Sequence, residues 1–141
     1  MSLVTVASLV EGCGSKGNPA GSGGGANVPA LATINGSAAG GIVTVSNVSG
    51  TALASIGSAA LVQAGGNNIL VTRSAQDSFS AVTAVCTHEQ CVVSGFESGA
   101  FVCPCHGSRY TTSGAVVQGP ATRALASFNT QFTNNVLTIT V

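Results

Sequence analysis

The stretch 103-CPCHGSRY-110 holds two cysteines and a histidine within its first four residues. Seventeen residues ahead of Cys103, the stretch 86-CTHEQC-91 begins with another cysteine and holds the second histidine. Together the two segments contain four of the five cysteines and both histidines of the 141-residue chain. Such clustering points to a metal site, to disulfides, or to both. The segments read C-x-H at 86–88 and C-x-x-H at 103–106, so Cys86, His88, Cys103 and His106 offer two thiolates and two imidazoles. That set suits one tetrahedral zinc, or a [2Fe–2S] cluster with both cysteines on one iron and both histidines on the other. Zinc is ordinarily held by C-x2-4-C and H-x3-5-H pairs. Here each loop supplies one cysteine and one histidine, which suits two irons better. A c-type haem needs C-x-x-C-H, and C-P-C-H is one residue short. Cys91 and Cys105 each lie just past a donor of their own loop. A disulfide between them would staple the loops together; free thiols or further ligands are the alternatives.

The remainder of the chain is nearly uncharged. Asp, Glu, Lys and Arg make up 6% of residues, against about 25% in typical soluble domains. Lys16 is the one lysine and the net charge is zero. This excludes the electrostatic footprint of a nucleic-acid-binding protein or of a protein that docks on anionic lipid by charge. The length fits one domain with a hydrophobic core. Short apolar segments rich in Val, Ile and Thr are predicted as strands at Ile42–Val45, Ala59–Ala64, Ile69–Arg73, Phe79–Val85, Phe101–Val102 and 136–141. The sequence 65-GGNN-68 is a turn signal. No sustained helical period appears, so the expected fold is all-β, a small antiparallel sandwich or barrel.

The N-terminal part reads differently. Residues 1–13 are expected to be a leader whose apolar run, SLVTVASLV, is too short to span a bilayer. It lacks the basic start of a complete signal peptide. Val10-Glu11-Gly12-Cys13 loosely resembles a bacterial lipobox, so Cys13 is a candidate lipid-modified tether to a membrane. Residues 14–29 are expected to be a flexible Gly/Ser-rich linker. The folded domain is expected over 30–141.

C-T-H-x-x-C followed by C-P-C-H-G-S resembles the Rieske iron–sulfur family, over roughly residues 40–141. The resemblance implies an antiparallel β-sandwich with a small cluster-binding subdomain, about 84–121, formed by the two loops. It implies that Cys86 and Cys103 hold the inner iron of a [2Fe–2S] cluster, that His88 and His106 hold the outer one, and that Cys91 and Cys105 form the loop disulfide. That disulfide marks the high-potential branch found in cytochrome bc and bf complexes. Ser108 and Tyr110 match the residues whose hydroxyls bond a bridging sulfide and a ligand sulfur, here that of Cys86. Such donors stabilise an added electron. Gly119-Pro120-Ala121 resembles the proline loop that covers the cluster. With neutral imidazoles, the formal charges of two ferric ions, two sulfides and two thiolates cancel, and reduction leaves a negative charge. An added electron therefore favours imidazole protonation, which couples electron and proton uptake.

Glu89-Gln90 departs from the family pattern, where Leu-Gly typically stands. A carboxylate at the loop tip disfavours entry into an apolar quinol pocket and opposes an added electron. The resemblance thus implies a one-electron carrier, exported to a bacterial periplasm or the outer face of a membrane, since a structural disulfide belongs in an oxidising space. Expected partners are a c-type cytochrome or a quinol-oxidising membrane complex. The alternative is the Rieske subunit of a quinol–cytochrome c oxidoreductase. A structural zinc domain is the reading of a different class.

Overall fold

The computed structural model of the protein describes residues 28–86, 91–105 and 107–141. Among these, twelve strands form two sheets, and no α-helix occurs. In chain order the strands are β1 (Ala32–Asn35), β2 (Ser37–Ala39), β3 (Ile42–Val45), β4 (Ala59–Ala64), β5 (Asn67–Ala75) and β6 (Ser78–Thr83). They continue as β7 (Gly95–Glu97), β8 (Ala100–Val102), β9 (Arg109–Tyr110), β10 (Val116–Gln118), β11 (Ser127–Thr133) and β12 (Val136–Thr140). The larger sheet has the order β1-β4-β5-β6-β11-β12-β3-β2, and the smaller one β10-β9-β8-β7.

The apolar runs of β4 and β5 have a specific cause. Ala60, Val62, Ala64, Ile69 and Val71 point into one core, shared with Val43, Leu137 and Ile139. The alternate residues Leu61 and Leu70 point into a second core, shared with Phe101 and Tyr110 of the smaller sheet. A strand buried on both faces reads as a continuous apolar run rather than as an alternation. β12 is buried on one face only, and its pattern of half-buried and buried residues alternates as expected. Among the described residues the pairings are antiparallel with one exception: β1 runs parallel to β4. The expected all-β, largely antiparallel architecture is the one observed. β1 arrives from the smaller sheet rather than from a hairpin, so the parallel direction is open to it.

Tight hairpins set the register. Gly65-Gly66 joins β4 to β5 and Asn134-Asn135 joins β11 to β12, each with positive φ at both residues, as two-residue turns of the I′ kind require. Asn67 and Asn68 of the expected turn belong to β5 instead. Arg73 braces the far end of the larger sheet. Its guanidinium lies 5.1 Å and 5.2 Å from the ring centroids of Phe79 and Phe132. It also donates to the carbonyls of Leu53, Ala54 and Gln76.

Candidate metal centre

The two cysteine loops leave the smaller sheet and its junction with β6. The first closes as a hairpin: Val85 bridges Val92, Cys86 N donates to Cys91 O at 2.7 Å, and Val93 N donates to Ala84 O at 2.6 Å. The second folds back on itself, with Cys103 N donating to Ser108 O at 2.8 Å and Gly107 N to Cys103 O at 2.9 Å. These bonds fix the backbone leading into Cys86 and the backbone at Cys103. Cys86 and Cys103 are each 1% exposed and belong to the second core.

A disulfide joins Cys91 to Cys105, with Cα atoms 6.5 Å apart. It pins one loop to the other, as the resemblance implied. The Cys103 sulfur lies within 4.8 Å of both disulfide sulfurs. These three sulfurs are not a ligand group, because the bonded pair carries no thiolate for a metal. They place the staple directly against Cys103.

Tyr110 is fully buried, and its hydroxyl lies 3.2 Å from the Cys86 sulfur. Ser108 is 1% exposed, and its Oγ accepts a bond from Ala121 N at 3.0 Å. With that acceptor role filled from the backbone, the hydroxyl proton remains to be donated elsewhere. Gly119 and Pro120, joined by a cis peptide bond, are exposed and lead directly into buried Ala121. His88 and His106 lie outside the described residues, as do Glu89 and Gln90, Cys13, and the whole 1–13 leader.

The residues described fit an iron–sulfur group. Two buried cysteines that are not part of the disulfide lie in an apolar core, and the sulfur of one of them faces a hydroxyl. Soft thiolate donors in a largely dry environment suit iron–sulfur chemistry. Two features were not read from the sequence. One is the Ala121 amide, a backbone donor thirteen residues from Ser108 that no motif marks. The other is the 2.9 Å ion pair of Arg109 with Glu97, which ties β9 to β7.

Residues 45–129 match the family model described as Rieske [2Fe-2S] domain, which is more than half of the chain. A cytochrome b6-f complex iron-sulfur subunit of Prochlorococcus marinus (strain AS9601) is 57% identical over 47 residues. That match covers 32% of this chain and 26% of the relative, so the chain aligns with about a quarter of that protein's length. The cyanobacterial plasma membrane Rieske protein of Synechocystis PCC 6803 superposes with a TM-score of 0.50 at 27% identity, covering 72% of this chain and 87% of that one. A hyperthermophilic respiratory Complex III chain gives a TM-score of 0.50 at 26% identity, covering 62% and 70%.

Proposed function

This chain belongs to the Rieske [2Fe–2S] domain family, and from that premise we propose that it is a high-potential one-electron carrier serving a quinol-oxidising membrane complex or a c-type cytochrome. The observation that carries the proposal is the pair of buried cysteines, Cys86 and Cys103, held behind the Cys91–Cys105 staple with the Tyr110 hydroxyl on Cys86. When bound, the cluster supplies a single electron to be taken up or given away.

In this reading Cys86 and Cys103 hold one iron, and His88 and His106 the other. The Tyr110 hydroxyl donates to the Cys86 sulfur and stabilises the negative charge that reduction brings. Ser108, fixed by Ala121 N, directs its proton at a second sulfur. The imidazoles of His88 and His106 take up protons as the site gains its electron. The disulfide staples the loops and supports an oxidising space, so we assign the domain to a periplasm or the outer face of a membrane. Cys13, with residues 14–29 as tether, is the proposed lipid anchor, and 30–141 the proposed Rieske domain.

A second reading has its own support. The relative from Prochlorococcus is a subunit of a cytochrome b6-f complex, which favours a resident subunit of a quinol-oxidising complex over a freestanding carrier. Glu89 weighs against a quinol pocket. Two assays on the purified protein test these, the first the shared premise and the second the choice between them. Iron and acid-labile sulfide in equal amounts, both lost in Cys103→Ser, are expected for either reading; zinc without sulfide would overturn both. Rapid reduction by a short-chain quinol favours the subunit. Reduction only by protein donors, with oxidation by a c-type cytochrome, favours the carrier.

A further inference from the structure

Residues 28–31 belong to no named strand, yet they lie along the outer edge of β7, the terminal strand of the smaller sheet. Ala30 forms an antiparallel bridge with Gly95. Leu31 N donates to Ser94 O at 2.8 Å, and Phe96 N donates to Pro29 O at 3.1 Å. Half-buried Leu31 packs on the second core. A Cβ on Gly95 would stand 2.9 Å from Val28 Cγ1, so glycine is what admits the segment at this distance. The chain then crosses to the larger sheet as β1.

The hold is thin. One antiparallel bridge, made of these two backbone bonds, pairs this segment with β7 among the described residues, whereas β4 and β5 share six registered pairs. Beside it lies a partly open pocket of about 100 Å³, lined by Val28, Ala30, Ser94, Gly95, Val102 and Pro104. Pro104 links Cys103 to Cys105, so the segment and the second cysteine loop are two walls of one gap.

We propose that residues 28–31 form a releasable strap that supports the second cysteine loop. Docked, the strap lies beside β7 and backs the wall opposite Pro104. Released, it frees four residues, roughly 13 Å of extended chain, and slackens the Cys103–Cys105 loop. Its consequence for electron transfer rests on the reading that Cys103 is a cluster ligand; the release itself does not.

Hydrogen exchange followed by mass spectrometry on the iron-loaded protein tests this. Peptides covering 28–33 and 94–98 are expected to exchange at least about tenfold faster than 67–73, as a locally opening unit should. Val28→Gly, a change at the periphery, is expected to speed both further and to speed 101–108 with them, leaving 67–73 unchanged. Strap peptides as slow as 67–73, or acceleration that stops short of 101–108, would overturn the proposal. Iron measured on the same samples separates the two claims. The expected exchange in a protein that binds no iron supports the strap and overturns the cluster reading alone.

Discussion

At the scale of single residues, the family was legible because metal chemistry restricts the order of its donors so tightly. Cysteine and histidine alternate within each short loop, and few sites need that order. The structure adds where the hydroxyls are. The Tyr110 hydroxyl has the Cys86 sulfur at 3.2 Å and is buried with it. A hydrogen bond to a charged acceptor is worth about 1.5–3 kcal/mol, of which only the difference between redox states moves the potential. If that difference is about 1 kcal/mol, Tyr110→Phe lowers the potential by about 40 mV, with iron content unchanged. An EPR-monitored titration of the variant beside the parent checks this; an unmoved potential would remove Tyr110 from the electronic role. The anchoring of Ser108 by Ala121 N was not legible, since any residue but proline supplies a backbone amide.

At the scale of elements, β4, β5 and β12 were legible and β11 was not. The first two are apolar on both faces, and β12 alternates cleanly. β11 reads SFNTQFT, with Phe128 and Phe132 only half-buried between exposed polar residues. Its place in the sheet comes from its pairing with β6 and β12, which no local pattern announces. Phe132 joins Phe79 under the Arg73 guanidinium. Arg73→Met is expected to lower stability by about 2 kcal/mol, through the lost ring contacts and carbonyl bonds. Arg73→Lys should recover only part of this, because a single ammonium cannot reproduce the planar fork. Chemical denaturation of the three proteins measures it, and a Lys variant equal to the parent would mean that charge alone acts there.

At the scale of the whole molecule, a single chain builds two cores on opposite faces of β4-β5-β6, and the cysteine loops cap the second. Continuous apolar runs were the sequence's sign of this, but the partner on each face could not be named without the topology. The disulfide closes the cap across a sequence separation of 14. Replacing both Cys91 and Cys105 by serine is expected to cost about 3 kcal/mol of stability and to speed iron loss, measured by thermal melting and by the decay of visible absorbance. A melting curve unchanged from the parent would mean that the loops hold together without their staple. The central claim, a Rieske cluster with paired cysteine and histidine ligands and high potential, has one direct test. It is an EPR-monitored redox titration repeated across pH. Reduction favours protonated imidazole, so a rising pH withholds protons that the reduced state binds. The potential should therefore be positive and fall with pH, by up to about 59 mV per pH unit for each proton taken up. A negative potential that stays flat with pH would contradict the account.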